Sequence, residues 1–192
     1  MSRKRPQRRS ENDVEGDDDV TCIDCQVFFY ADVSPSTILK MIKALKTANE
    51  NSVKTIGLPC VYMFIHSNGG DAFAGLSAMD HIRNNPIPVI TIADGMVASA
   101  ASFMLLAGRT RYILPHAFVR IHQLSISGFD GKYAELMDEM QNTKVLMETI
   151  RNMYTEHTNM SEERVEEILK KEIDMDALCC LKEGIVHAVF QA

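Results

Sequence analysis

Three apolar runs of strand length, each followed by a turn signal and then a helix-forming stretch, limit what this chain can become. Gln26-Val-Phe-Phe-Tyr-Ala31 comes first. Ser34-Pro35 follows it, a capping residue and then proline at the first helical position. The helix so started carries Ile38, Ile42, Leu45 and Ala48 on one face and is expected to reach about Asn49, with a polar loop to Leu58. Cys60-Val-Tyr-Met-Phe-Ile-His66 is apolar through most of its length, the pattern of a strand buried on both faces. Ser67-Asn68-Gly69-Gly70 comes next, and Asp71 leads into a helix through Gly75, Met79 and Ile82. Pro88-Val-Ile-Thr-Ile-Ala93 is the third run. Three strand–helix pairs in succession predict an α/β fold.

The third pair carries the chemistry. After Ala93 the sequence reads DGMVASAASFMLLAG, Asp94 to Gly108. It predicts a tight turn at Gly95, then a buried helix from about Ala98 with Ser99 in its first turn. Gly108 reads as a left-handed helix stop. A serine there has small neighbours that leave room for a substrate. The free N–H groups of the helix start point at developing negative charge. Strand, turn, serine and helix is the logic of a nucleophile elbow, without the GxSxG spelling. A packing serine in an alanine-rich helix is the plainer alternative.

Downstream, Thr110–Leu114 and Phe118–Gln123 read as strands, with His122 at the end of the second. Ser127-Gly128 and Asp130-Gly131 mark a connector. Residues Lys132 to about Thr158 form a long amphipathic helix, with Tyr133, Leu136, Met137, Met140, Met147, Ile150 and Tyr154 at helical spacing. At 1.5 Å per residue it spans ~40 Å. A helix capped near Ser161 runs to Leu169. A short one capped by Asp176 stops at Gly184, and Ile185–Phe190 is a last strand.

Residues 1–19 have five basic side chains first and six acidic ones after, and little apolar to bury, so they read as a disordered charged tail ahead of one domain over 20–192. A net charge of −6 gives no general drive toward nucleic acid or anionic membrane, and no apolar run approaches a membrane span. Five cysteines, an odd number, argue against a disulfide framework and for a reducing, cytoplasmic setting. Cys22-Ile-Asp-Cys25 lacks the further ligands that zinc would need, so no metal or cofactor is expected.

Three separated segments together resemble the ClpP family, the proteolytic subunits of Clp proteases. They are YMFIHSNGGDAFAGLSAMDHIRN (Tyr62–Asn84), DGMVASAASFMLLAG and PHAFVRIHQ (Pro115–Gln123). The resemblance implies a ClpP/crotonase-like spiral of strand–helix units with a long handle helix. It implies Ser99 as nucleophile, His122 as base, and backbone N–H groups of Gly70 and Ala100 as the oxyanion hole. The third catalytic member in the family lies twelve residues before the glycine of a closing motif. Here that motif is Gly184-Ile-Val-His187, so the matching residue is Glu172, with Asp174 two residues on as the alternative acid. The implied assembly is a double ring of heptamers working with an AAA+ unfoldase on unfolded polypeptides. This chain has no GxxxxGK[ST] with which to use ATP itself. A catalytically impaired ring subunit and a crotonase-type acyl-CoA enzyme are the competing readings.

Overall fold

A computed structural model describes residues 19–54, 57–125, 128 and 130–191. The charged segment 1–18 and part of the connector before the long helix, residues 126, 127 and 129, lie outside it.

The chain enters through a hairpin, β1 (Val20–Ile23) and β2 (Gln26–Phe29). Its turn holds Asp24 at φ 53° and places Cys22 beside the turn. α1 (Pro35–Ser52) starts on a reciprocal cap. Ser34 Oγ accepts from Thr37 N–H, and Thr37 Oγ1 accepts from Ser34 N–H. The helix buries Ile38, Met41, Ala44, Leu45 and Ala48, and it continues three residues beyond the expected end at Asn49. β3 (Val61–Ser67) then alternates buried and less buried residues. α2 (Ala72–Arg83) is capped by Asp71, whose Oδ1 accepts from Ala74 N–H at 2.7 Å. β4 (Val89–Ala98), α3 (Ala100–Ala107), β5 (Thr110–Ile113) and β6 (Phe118–Arg120) follow. The long helix α4 (Tyr133–His157), α5 (Glu162–Leu169), β7 (Asp174–Met175), α6 (Ala177–Lys182) and β8 (Ala188–Val189) complete the order.

Among the described residues eight strands form one sheet, in the order β1-β2-β3-β4-β5-β8. From β2 to β8 the neighbours are parallel. β4 has two partners on the same side. Ile90–Ala93 pair with β5, and Met96–Ala98 pair with β6, which in turn takes β7 antiparallel. The core joins the sheet to α1, α2 and α3. All eight residues of α3 are buried.

Four expectations are corrected. Asp94-Gly95 does not end the strand: with Gly95 at φ 71° it forms an irregularity inside β4, between the Ile65–Ala93 and Ser67–Val97 pairs, and β4 resumes beyond it to Ala98 against β6. Gly108 is not left-handed, with φ −61° and ψ 137°. It is glycine for space, since a Cβ there would lie 2.1 Å from Thr91 Oγ1. β6 ends at Arg120, so His122 lies two residues past the strand. The last strand is only Ala188–Val189, and neither β1 nor β7 was expected. The long helix matches its expected span, but its apolar stripe divides. Ile150, Met153 and Tyr154 are buried, while Tyr133, Leu136, Met137 and Met140 are exposed.

Candidate active site

Ser99 stands between β4 and α3 with φ 54° and ψ −127°. Apart from Asp24 it is the one non-glycine among the described residues with positive φ. A β-carbon makes that conformation costly, so the surroundings must enforce it. They do so at both ends of the residue. Ser99 N–H donates to the Arg120 carbonyl on β6 at 2.8 Å. The Ser99 carbonyl accepts from Ser102 N–H at 2.9 Å and from Ser102 Oγ at 2.6 Å. Ser102 Oγ also lies 2.6 Å from the hydroxyl of Tyr154, on the buried part of α4. Burial pushes the Tyr154 phenol well above its ordinary pKa, so it stays protonated.

Two glycines make the space in which this turn sits. A Cβ on Gly69 would come within 2.6 Å of Ser99 Cβ, and one on Gly75 within 2.9 Å of Ala100 Cβ. Gly70 has its own reason to lack a side chain. Val33 N–H donates to the Gly69 carbonyl at 2.8 Å, and Asp71 N–H donates to the Val33 carbonyl at 2.8 Å. This parallel bridge clamps the backbone on both sides of Gly70, where a Cβ would meet Val33 O at 2.2 Å. In such a bridge the intervening residue's own N–H and C=O point to the opposite side. Gly70 therefore presents backbone groups away from Val33. Ala100 is the first residue of α3, and its N–H belongs to those a helix leaves without an internal acceptor.

Ser99, His122, Gly70 and Ala100 line one cavity of about 390 Å³. Phe103, Leu124, Ile150 and Tyr154 give it apolar walls. His122 Nδ1 lies 2.8 Å from the carbonyl oxygen of Gln123. A carbonyl only accepts, so Nδ1 carries the proton and Nε2 is left with a free lone pair. The segment is fixed by Gln123 N–H donating to the Leu169 carbonyl at 2.9 Å.

The two candidate acids lie elsewhere. Asp174, on β7, accepts two hydrogen bonds from Arg120. That guanidinium holds its carboxyl below the usual range. Glu172 is exposed, near enough for its charge to favour the Arg120 cation. Neither carboxylate is hydrogen-bonded to His122. Arg120 is the residue that sequence reasoning missed. An arginine inside a short strand, two residues before the histidine, was the available signal. Among the described residues no group of three or more His, Cys, Asp or Glu is arranged to hold a metal ion. All five cysteines are free thiols, and no described helix is long and apolar enough to cross a membrane.

Comparison with known proteins bears on this geometry. A family model described as Clp protease matches residues 20–192. The chain is 35% identical over 131 residues to an ATP-dependent Clp protease proteolytic subunit of Staurastrum punctulatum, covering 67% of this chain and 65% of that one. A protein of the same description from Deinococcus radiodurans is 32% identical over 131 residues, with 67% and 64% covered. The chain thus spans slightly under two thirds of the length of these curated relatives. A solved structure of a ClpP1 mutant from Listeria monocytogenes superposes with a TM-score of 0.75 at 23% identity, covering 87% of this chain and 91% of that one. That likeness extends to the fold, which is of the expected ClpP/crotonase-like kind.

Proposed function

The chain belongs to the Clp protease family, and we propose that it is a serine endopeptidase subunit that cleaves unfolded polypeptides. The observation that carries the reading is the shared cavity of Ser99 and His122, with the serine held in a forced positive-φ turn. A hydroxyl is a poor nucleophile at neutral pH and needs an adjacent base. His122 Nε2 takes the Ser99 proton as Oγ attacks the peptide carbonyl. The oxyanion of the tetrahedral intermediate rests on the N–H groups of Gly70 and Ala100. Losing one such donor costs about 3 kcal/mol of barrier. His122 then passes its proton to the leaving amine, and water releases the acyl group from Ser99. The substrate lies extended beside Gly70, whose outward backbone groups suit an added strand.

Glu172 is the proposed acid, with Asp174 as the alternative. Glu172 is favoured because Asp174 already serves Arg120. The exposed first half of α4 supports assembly into a double ring of heptamers, and the family resemblance adds an AAA+ unfoldase as partner. A cytoplasmic setting fits five free thiols. The acyl-CoA reading has no footing in a match to a protease family. An impaired ring subunit is the second reading, favoured by His122 Nδ1 being hydrogen-bonded to the Gln123 carbonyl and to neither carboxylate.

A fluorophosphonate probe separates the two. Labelling at Ser99, lost in Ser99→Ala, is expected of a working nucleophile. An unlabelled protein means a scaffold.

A further inference from the structure

A second, larger cavity, of about 900 Å³, opens where α2 and α4 end and β5 begins. Arg83, Arg109, Arg111, His157 and His187 line it, with Glu156 as the sole carboxylate. This is a concentration of positive charge in a chain whose net charge is −6. Among the described residues none of these three arginines is in an ion pair.

The histidines do not supply the missing anion, and they do not add to the charge. Arg83 Nη1 is hydrogen-bonded to His157 Nε2, which must therefore accept. The backbone N–H of Arg111 donates to His187 Nδ1 at 3.1 Å, so the proton of that ring sits on Nε2. Arg111 forms the inner wall. Its Nη2 donates to the Gly184 carbonyl at 3.0 Å, while its Nε is buried without a hydrogen-bond partner. Burial, and then the charge of Arg83, both work against the Arg111 cation. A buried donor left unmade is costly, and so are like charges facing each other without a counterion.

We infer that this cavity binds a small, multiply charged phosphate compound of the phosphate or pyrophosphate class, held by Arg83, Arg109 and Arg111. A single carboxylate would be satisfied by one guanidinium fork. Guanidinium groups arriving from α2 and from both sides of Thr110 suit a tetrahedral oxyanion with oxygens on several sides. No Phe or Tyr ring lines the cavity, so it offers a nucleobase no such ring to stack on. The inference does not depend on Ser99 being a nucleophile.

Calorimetric titration of the full chain with pyrophosphate, against chloride at equal ionic strength, tests it. Saturable binding is expected, together with a rise in Tm. Arg83→Gln and Arg109→Gln stand at exposed positions and should each weaken binding roughly tenfold, the loss of one charge-assisted hydrogen bond. Arg111→Lys keeps the charge but removes the Nε donor, and should weaken binding as well. Peptidase turnover should be unchanged in all three. Absence of saturable heat overturns the inference. So does binding that none of the three variants alters, which is general screening of surface charge.

Discussion

Arg120 grips Asp174 with two parallel hydrogen bonds, Nε to Oδ1 at 2.7 Å and Nη2 to Oδ2 at 2.9 Å. The backbone of the same arginine receives Ser99 N–H. The pair therefore ties β7 to the strand that holds the serine turn. The hydrogen bonds from Arg120 lower the folded-state pKa of Asp174, so the unfolded chain takes up that proton more readily. The resulting stability is present above the unfolded value, about 3.9, and is lost as pH falls through the lowered folded value. Asp174→Asn should be less stable than the parent at pH 7, and the gap should close in acid. Urea unfolding at both pH values measures it. A gap that persists in acid would mean that the clamp works through shape and not charge.

The acid assignment gives a second contrast. Glu172→Gln should lower kcat more than Asp174→Asn, because the Asp174 carboxylate is already committed to Arg120. Steady-state peptidase assays at neutral pH decide it. If Asp174→Asn does the greater damage to kcat, Asp174 orients His122.

Ser99→Ala and His122→Ala should each reduce turnover by at least ~10³-fold while leaving assembly intact. Turnover near the parent's in either variant removes that residue from the chemistry. The strained turn adds a stability readout. Ser99→Gly should be as inactive as Ser99→Ala but more stable by about 1 kcal/mol, since φ 54° suits glycine and not alanine.

Gly75→Ala tests the packing under the serine. The added carbon would meet Ala100 Cβ and O at 2.9 Å each and Phe103 Cδ2 at 3.0 Å. A cost of about 1–3 kcal/mol is expected from such overpacking. Fluorophosphonate labelling of Ser99 should slow in parallel. Thermal melts and labelling rates on one preparation report both effects.

The exposed half of α4 predicts an assembly phenotype. Met140 is 54% exposed and Met137 47% exposed, beside Leu136 and Tyr133. Met140→Glu should split a double ring into single rings and lower peptidase activity. Sedimentation velocity with an unchanged double-ring species would show this stripe to be irrelevant surface.

Much of this architecture can be read from the amino-acid order, and the failures have physical causes. Ser34-Pro35 and Asp71 mark helix starts because capping is local, settled within one turn of chain. The apolar run at β3 announces a strand, but not burial on both faces: Val61, Met63, Ile65 and Ser67 are buried, while Tyr62 and Phe64 are half-buried and His66 is exposed. Asp94-Gly95 misleads only as a strand end: the glycine does take a left-handed φ of 71°, but β4 resumes after it through pairing with strands far away in sequence. Gly108 misleads in another way: the residue is needed for clearance from Thr91 and not for its φ. The segments of Ser99 and His122 single both residues out, and the fold brings them to one cavity, yet the hydrogen bond of His122 to Gln123 is not legible. Neither is the capture of Asp174 by Arg120, which depends on a two-residue strand that no periodicity can reveal.

β4 serves two masters in succession. Its first half is locked between β3 and β5, deep in the sheet, while its last three residues lean on β6. Short pairings open more readily than long ones. Warming should thus loosen the Met96–Ala98 pairing with β6 before the main sheet gives way. Ser99 would lose its Arg120 anchor while the molecule still looks native by its far-ultraviolet spectrum. Activity and fold would then fail at different temperatures, and the amide protons of Val97 and Ser99 would be the early witnesses in hydrogen exchange.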